Sequence, residues 1–305
     1  LAIGSLIGAV AAVKVKMTKM PEMVGIFNGF GGGASILVAA AAALMAICAH
    51  EIWEAADGSN LGPDPLSNAQ SNIAIVLSGI IGSVTFFGSY VAFGKLAEFL
   101  AVKWKIYPWQ KAIKYGFSAI VAAGGIGFGY MIGFNGIAGY GVPVCGVIIA
   151  VMLFSKKDRF PGMDILKLVA TLSTVALAVW VTMDPADPNM YWLMVAVAGV
   201  LGVILTLSIG GADMPVVIAL LNSYSGLAGA ATGFVISNNV LIIAGSLVGA
   251  SGLILTNIMC KAMNRSLTHV LFGSLGPTAD TPDADEVYKT VKSTSADELA
   301  MLLED

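Results

Sequence analysis

Long apolar stretches separated by short polar segments fill the chain from its start to about residue 270. A helix needs about 20 predominantly apolar residues to cross a bilayer. The pattern predicts eight full spans, and the apolar segment at residues 1–13 is expected to be the end of a truncated first helix. The predicted spans are approximately 22–48, 72–93, 116–133, 138–155, 163–183, 190–208, 214–236 and 240–260. The expected fold is all-α, a polytopic transmembrane helix bundle.

Two asparagines occupy equivalent positions in the first and seventh of these spans. A Met-Pro pair opens each span, and Asn28 or Asn222 follows the methionine by eight residues. Eight residues of helix put each amide roughly 12 Å from the end of its span, close to the middle of the bilayer. A buried amide is costly unless it has a hydrogen-bond partner. The pair therefore indicates either a functional polar site or hydrogen bonds between helices.

Small and polar residues form stripes at helical spacing on four of the predicted spans. The stripes are Asn28, Gly32 and Ser35; Ser78, Gly82, Thr85 and Ser89; Asn222, Gly226, Gly229 and Gly233; and Gly245, Gly249, Gly252 and Thr256. Such stripes are typical of helix packing in membranes, where glycine allows close approach and serine or asparagine supplies hydrogen bonds. We expect the four helices to pack together, with Asn28, Ser89 and Asn222 facing a shared interior.

The composition agrees with a membrane protein. Hydrophobic residues make up 57% of the chain and charged residues 11%, with a mean hydropathy of +0.85; soluble domains carry about 25% charged residues. The three cysteines are far apart and predict no metal site or disulfide framework. His50 and His269 lie at helix ends, where we expect surface histidines. The sequence has neither a P-loop nor a dinucleotide-binding glycine motif, so we expect no cofactor site within it.

Charge segregates to opposite ends of the predicted spans. With eight spans, all 16 Lys and Arg residues fall on one side of the membrane. The opposite loops hold only acidic charges: Glu51, Glu54, Asp57, Asp64, Asp184 and Asp187. Because basic loops stay on the cytoplasmic side, the basic side is predicted to face the cytoplasm or the mitochondrial matrix.

Two charged residues flank the last two spans on that basic side. Asp213 lies in the segment SIGGADMP, and Arg265 lies in KAMNRS after the final span. One interpretation is that Asp213 only caps the start of the seventh span. The other is that Asp213 and Arg265 contact a soluble domain below the membrane.

The C-terminal segment differs in composition from the rest of the chain. The change in composition predicts three parts: a transmembrane domain at 1–266, a polar and acidic linker at 267–294, and the beginning of a second domain at 295–305. Ser295, with Glu298 three residues later, forms a capping-box pattern that predicts the start of a helix. We expect the second domain to continue beyond residue 305.

Four stretches together resemble one family: the beta-subunit type of the proton-translocating NAD(P) transhydrogenases. They are SIGGADMPVVIALLNSYSG, VGASGLILTNIMCKAMNRS, KMTKMPEMVGIFNGFGGG and GSVTFFGSYVAFGKL. The resemblance covers residues 1–95 and 208–266 and, loosely, the tail. It implies a membrane domain that carries protons, coupled to hydride transfer from NADH to NADP⁺ between soluble NAD(H)- and NADP(H)-binding domains. No family motif is found between these two regions, so the role of the helices there is open.

The resemblance also implies roles for individual residues. Asn28 falls where some members have a membrane histidine implicated in proton transfer, and Ser89 and Asn222 match other polar positions of the pathway. Asp213 and Arg265 match charged positions at the junction with the NADP(H) domain. Glycines of the last helix are matched by Gly245, Gly249 and Gly252, which implies packing or gating.

Cofactors and partners follow from the resemblance. The complete enzyme is expected to use NAD(H) and NADP(H), with no cofactor bound by residues 1–305. Expected partners are an alpha-type subunit, the chain's own NADP(H) domain, the lipid bilayer and a second copy of the complete enzyme, but not nucleic acid. The implied location is the bacterial plasma membrane or the mitochondrial inner membrane.

The source of the transferred proton is predicted by elimination. The four striped spans carry no titratable side chain within their apolar parts, and Glu22 lies at the end of its span. Histidine binds and releases a proton near neutral pH, so we expect a partner-subunit histidine to lie beside Asn28 and Asn222. An ion or small-solute channel or carrier, with the stripes lining its path, is the alternative function, and a purely structural scaffold is the third.

Overall fold

The computed structural model describes residues 19–56, 63–97, 141–149 and 163–272, with isolated positions at 5, 8–10, 13–16, 119 and 123. Two 3₁₀ turns, Pro65–Ser67 and Gly211–Asp213, precede helices. Residues 141–149 are helical as well. The other described helices are α1 (Met20–Ala55), α2 (Ala69–Leu96), α3 (Met163–Met183), α4 (Pro188–Leu207), α5 (Met214–Val235), α6 (Asn239–Ala262) and α7 (Leu267–Phe272).

Helices α1 to α6 are each long and apolar enough to cross a membrane. They match six of the eight predicted spans, and no strand occurs in the ranges just given, so the all-α prediction is confirmed. The predicted spans at 116–133 and 138–155 lie largely outside the described residues, as does most of the segment at 1–13. The count of eight spans therefore stays a prediction. So does the division into domains, although α7 occupies the first residues of the predicted linker.

Helix α2 is the centre of the described bundle. It packs extensively against α1, α4 and α5 and more narrowly against α3. Helix α4 is the most buried of the six spans, whereas α1, α3 and α6 expose most of their apolar side chains. Outward-facing leucine and isoleucine side chains are what a lipid environment favours. Helix α6 packs chiefly on α5, which places it at the edge of the described bundle rather than beside α1 and α2.

Hydrogen bonds from serine and tyrosine side chains connect the central helices. The Ser83 hydroxyl of α2 donates to the Val195 carbonyl of α4 at 2.6 Å. The Tyr191 hydroxyl of α4 donates to the Ile36 carbonyl of α1 at 2.9 Å. Each bond satisfies a polar group that lipid could not pair. The three helices are thus held at a fixed relative height.

The turn between α5 and α6 is short because Asn238 pairs with the end of α5 through its backbone and caps the start of α6 through its side chain. Ser237 has φ 52°, and the Asn238 N–H donates to the Gly233 carbonyl at 2.8 Å, as in a Schellman motif. The Asn238 side chain then accepts from the Leu241 N–H at 3.1 Å and caps α6. The chain therefore reverses direction with its terminal backbone groups paired.

Candidate functional site

Asn28 lies at the interface of α1 and α5. It is 6% exposed, and its Nδ2 donates to the Ile218 carbonyl of α5 at 3.5 Å, which is long for a hydrogen bond. In a helix, that carbonyl also accepts the backbone N–H four residues later, which belongs to Asn222. The Asn28 amide therefore contacts α5 one helical turn before Asn222, at the carbonyl that pairs with the Asn222 backbone N–H.

Ser89 lies opposite the same part of α1. It is fully buried, and its Oγ has no hydrogen-bond partner in the described part of the chain. A Cβ added at Gly29 would lie 3.5 Å from the Ser89 Cβ, so Ser89 packs against α1 at Gly29, the residue after Asn28. An unpaired buried hydroxyl is costly, and a water molecule or a partner group is what satisfies such a group in most proteins.

Asn222 is half-buried on an open groove. Ile218 and Ser225 lie on the same face of α5 as Asn222, and both contact α1. The Ile218 carbonyl accepts from Asn28, and a Cβ added at Gly31 would lie 3.1 Å from the Ser225 Oγ. One turn further on, Gly229 has nothing within 4 Å of an added Cβ. No hydrogen bond joins the Asn222 side chain to a residue that the structure describes. We call the space over Asn222, Ser225 and Gly229 the α5 groove.

The neighbouring face of α5 is closed by α6. A Cβ added at Gly226 would lie 2.6 Å from the Gly249 nitrogen, and one added at Gly245 would lie 2.5 Å from the Ala230 nitrogen. The Ser223 hydroxyl donates to the Gly249 carbonyl at 2.6 Å. An added Cβ at Gly252 would lie 2.8 Å from the Ser223 Cα. The two backbones touch because these residues are small; gating by the glycines stays a prediction.

The stripe on α2 joins three helices. A Cβ added at Gly82 would lie 2.7 Å from the Gly32 carbonyl oxygen of α1. The Ser78 hydroxyl lies 2.7 Å from the Thr232 hydroxyl of α5 and 3.2 Å from the Ser35 carbonyl oxygen of α1. Helices α1, α2 and α5 thus pack together as expected from their stripes. Helix α6 does not join them around a common interior, because its stripe is used against α5.

Asp213 and Arg265 form an ion pair. Arg265 Nη1 lies 3.0 Å from Asp213 Oδ2. Asp213 is 6% exposed, while the Arg265 side chain is 46% exposed. The Asp213 side chain makes no capping hydrogen bond to α5, so the capping interpretation is not what the structure has. The other oxygen of Asp213, Oδ1, is buried without a partner in the described part of the chain.

The end of α6 fixes the position of Arg265. Asn264 has φ 52°, a left-handed conformation that asparagine tolerates better than most residues. The Arg265 N–H donates to the Cys260 carbonyl at 2.9 Å, and the Asn264 N–H donates to the Lys261 carbonyl at 3.0 Å. These two bonds form a Schellman motif, which turns the chain back so that the guanidinium reaches Asp213.

Two lysines near this end of the bundle were missed as contact residues. Lys95, in the last turn of α2, donates to the Leu207 and Ile209 carbonyls at 2.6 and 2.8 Å. Lys167 is buried and donates to the Leu271 carbonyl of α7 at 3.2 Å. Both lysines were counted only among the 16 basic residues that predict orientation. Their position near helix ends was the available signal, since lysine side chains pair with terminal carbonyls.

His50 is less isolated than predicted. Its Nδ1 lies 2.8 Å from Asp64 Oδ1, and its Nε2 lies 3.6 Å from Glu54 Oε1. The Leu66 N–H also donates to Asp64 Oδ1 at 2.9 Å. That backbone hydrogen bond, helped by His50, holds the pKa of Asp64 below its usual value of 3.8. The contact ties the end of α1 to the start of the turn before α2.

The described residues thus form the helical bundle of an integral membrane protein, with asparagine and serine between α1, α2 and α5 and an ion pair at one end. Among these residues, no group of three or more His, Cys, Asp or Glu side chains is arranged to hold a metal ion. Residues 1–305 match the family model described as NAD(P) transhydrogenase beta subunit. The chain belongs to this family, as the four sequence stretches indicated.

Curated relatives agree with that assignment. Two of them, both NAD(P) transhydrogenase subunit beta from Rhodospirillum rubrum and one from a specified strain, are 33% identical over 305 residues. The match covers 99% of this chain and 52% of each relative. The chain therefore spans about half the length of these relatives.

Proposed function

We propose that this chain is the membrane proton-translocating part of an NAD(P) transhydrogenase, in which proton movement drives hydride transfer from NADH to NADP⁺. The observation that carries the proposal is the contact of the buried Asn28 amide with the Ile218 carbonyl of α5, one helical turn before Asn222, together with the unpaired Ser89 hydroxyl of α2. The hydride chemistry belongs to NAD(H)- and NADP(H)-binding domains outside residues 1–305. Family membership disfavours the channel or carrier alternative.

In this mechanism the polar residues orient a proton carrier and do not titrate. An amide can donate through its NH₂ and accept through its oxygen, and a hydroxyl can do both. Asn222 and Ser89 can therefore hold a water molecule in either protonation state of a nearby histidine. That histidine comes from an alpha-type partner subunit, whose membrane helix occupies the α5 groove. The open space above Gly229 and the half-buried state of Asn222 support a partner helix there.

Coupling to the NADP(H) domain runs through the ion pair of Asp213 and Arg265. Arg265 lies two residues before α7, the first helix after the last described span. The buried, unpartnered Oδ1 of Asp213 is an acceptor for a donor from that domain. Lys95 and Lys167 contact the same end of the bundle, and we infer that this end faces the cytoplasm or the matrix. The complete enzyme is expected to assemble as a dimer.

The test uses the complete enzyme, with its partner subunit, in sealed vesicles. We expect Asn222→Leu and Asn28→Leu to lower the turnover driven by a proton gradient by about tenfold or more, a typical loss when a positioned proton-transfer group is removed. Binding of NADP(H) should be unchanged, which separates lost proton transfer from misfolding. A matched control is Ser251→Ala, because Ser251 is exposed on α6 and donates only to its own helix. Unaltered gradient-driven turnover in both asparagine variants would refute the proposal.

The partner histidine is tested separately. Replacing each membrane histidine of the alpha-type subunit in turn should identify one whose loss abolishes proton-coupled turnover. A cysteine at that position should form a disulfide with Ser225→Cys, since Ser225 lies on the α5 groove. If the complete enzyme translocates protons with every partner membrane histidine removed, the carrier lies elsewhere.

A further inference from the structure

Lys95 joins the end of α2 to the segment that leads from α4 into α5. It lies in the last turn of α2 and is half-buried. Its Nζ donates to the Leu207 carbonyl at 2.6 Å and to the Ile209 carbonyl at 2.8 Å. Both bonds are charge-assisted, and such bonds are stronger than those between neutral groups. One ammonium group therefore holds two carbonyls that lie 112 and 114 residues further along the chain.

Capping of α4 accounts for only one of these two bonds. Leu207 is the last residue of α4, and the final carbonyls of a helix need a donor from outside the helix. Ile209 lies beyond α4, in the connection to α5. Its side chain is 2% exposed and belongs to one buried cluster with Ala92 of α2 and Met214 of α5. The ammonium and this apolar contact both hold Ile209 to the end of α2.

The segment that Lys95 holds leads directly into Asp213. Ile209 precedes Asp213 by four residues, and the Asp213 N–H donates to the Gly210 carbonyl at 3.1 Å. Two of the three intervening residues are glycines, which restrict the backbone less than other residues do. The path of this short connection therefore depends on how its start is held, and Lys95 holds that start.

Helix α2 also carries the buried Ser89. Ser89 precedes Lys95 by six residues, about 9 Å along the helix axis. Its hydroxyl has no hydrogen-bond partner among the residues that the structure describes. The same helix thus has a residue of the proposed proton path within it and the contact to the Asp213 segment at its end.

We propose that Lys95 is a positioning residue for energy coupling. Its ammonium keeps the segment from Leu207 to Ile209 against α2, so that Asp213 stays opposite Arg265 and a movement of α2 also moves this ion pair. The inference rests on the proposed coupling role of Asp213 and Arg265, and it adds the residue that links them to the helix of Ser89.

The experiment uses the complete enzyme with its partner subunit in sealed vesicles. Transhydrogenation is measured with a proton gradient and again after an uncoupler is added, and the ratio of the two rates reports coupling. Lys95→Met keeps an unbranched side chain and removes the ammonium. We expect it to lower the gradient-driven rate, and the ratio with it, about tenfold, as the loss of a hydrogen bond to a charged group does. A variant that is only less stable lowers both rates equally and leaves the ratio unchanged.

Two further variants make the assignment specific. Lys95→Arg keeps a cationic donor and should retain most of the ratio, with some loss because the guanidinium differs in shape from the ammonium. Lys261→Met is the matched control, because Lys261 also lies in the last turn of a helix, α6, and is exposed. It should keep the parent ratio. Equal losses in Lys95→Met and Lys261→Met would assign the effect to the total charge of this surface and overturn the proposal.

A double-mutant cycle connects Lys95 to Asp213. The double variant Lys95→Met, Asp213→Asn should be no worse than Asp213→Asn alone, since residues that act as a unit give non-additive losses. Additive losses would overturn the inference. So would a parent ratio in Lys95→Met beside a lowered ratio in Asp213→Asn, an outcome that leaves the proposed function standing. A parent ratio in Asp213→Asn would instead contradict the proposed coupling role, and this inference with it.

Discussion

Helices α1 and α5 begin with the same Met-Pro pair and carry an asparagine at the same distance from it, yet the two amides meet different surroundings. Asn28 is enclosed between α1, α2 and α5 and donates to the Ile218 carbonyl. Asn222 is half-buried beside the α5 groove and has no side-chain hydrogen bond to a described residue. Position in the repeat sets the depth of an amide, while the neighbouring helices decide whether it is available to a further partner.

The glycines four residues beyond the asparagines behave alike. Gly32 packs against the backbone of α2 at Gly82, and Gly226 packs against the backbone of α6 at Gly249. In each hairpin the glycine lets the following helix approach. The two hairpins are therefore equivalent in packing and differ at the amide, which is where we propose proton transfer.

The largest expected effect is a loss of stability when glycine is replaced by alanine on the face of α5 that packs against α6, compared with the face at the α5 groove. An added Cβ at Gly226 would meet the Gly249 nitrogen at 2.6 Å, whereas one at Gly229 would meet nothing within 4 Å. We expect Gly226→Ala to destabilise the protein by about 1–3 kcal/mol through overpacking. Gly229→Ala should be within about 0.5 kcal/mol of the parent, as surface substitutions are. Thermal unfolding in mild detergent measures both; equal losses would mean that the α5 groove is closed.

The second comparison concerns the starts of α1 and α5. Asp213 is buried and paired with Arg265 at 3.0 Å, while Glu22 lies 3.9 Å from the exposed Lys19, the residue before α1. We expect Asp213→Asn to lower gradient-driven turnover of the complete enzyme about tenfold, since disrupting buried charge pairs is costly. Glu22→Gln should have no effect, because exposed ion pairs contribute little.

The Asp213 result has its own control. Arg265→Met should cause a similar loss, and the double variant Asp213→Asn, Arg265→Met should be no worse than either single variant, since the two side chains act together. Additive losses would show that the two residues act separately. Full activity in both single variants would contradict a role in coupling.

A smaller effect on proton-coupled turnover is expected from replacing Asn28 of α1 by histidine. Placing a titratable imidazole at the level of Ile218 by Asn28→His should restore part of the proton-coupled turnover of an enzyme that lacks its partner histidine. A gain of about threefold or more is expected, which is modest beside a positioned acid–base group. Asn222→His provides the comparison, because its side chain faces the α5 groove. No recovery in either variant would count against proton transfer at this level.

The smallest expected effect is a pH dependence of the turn between α1 and α2 that the turn between α5 and α6 lacks. Asp64 accepts from Leu66 and contacts His50, and its pKa lies below the usual 3.8. Its lowered pKa stabilises the α1–α2 turn above pH 3.8, and this stabilisation is lost as the pH falls through the lower value of the folded state. The α5–α6 turn depends on the neutral Asn238 instead.

Hydrogen exchange across an acid titration checks this difference. Protection of residues 64–72 should stay constant from neutral pH to about pH 4 and decline only below it, while protection around Asn238 should not change there. Asp64→Asn should remove the decline. A decline that persists in that variant would assign it to another group.

Sequence patterns predicted six of the helices, which the structure describes, while the depth of the two asparagines in the bilayer stays a prediction from helical rise and bilayer thickness. They predicted which residues are small but not which neighbour each one meets. Gly226 and Gly229 belong to one stripe, yet only Gly226 contacts α6. Lys95 and Lys167 contact carbonyls more than 100 residues away in the chain, so their position near helix ends was a signal but their spacing did not predict the partner. His50 contacts Asp64 only 14 residues further on. Of the four helices expected to pack together, α1, α2 and α5 contact one another, and α6 packs on α5. That Asn28, Ser89 and Asn222 face one shared interior stays a prediction.

The hairpin of α5 and α6 is fastened at three levels. Asn238 joins the helices at one end, Gly226 and Gly249 touch near the middle, and Asp213 pairs with Arg265 at the other end. Two helices joined at three levels resist sliding and separation, so we expect α5 and α6 to move as one rigid body. The hairpin is about 33 Å long, since α5 has 22 residues and a helix rises 1.5 Å per residue. If coupling to the NADP(H) domain runs through Arg265 as proposed, we expect a displacement there to reach Asn222 as a tilt of the whole hairpin.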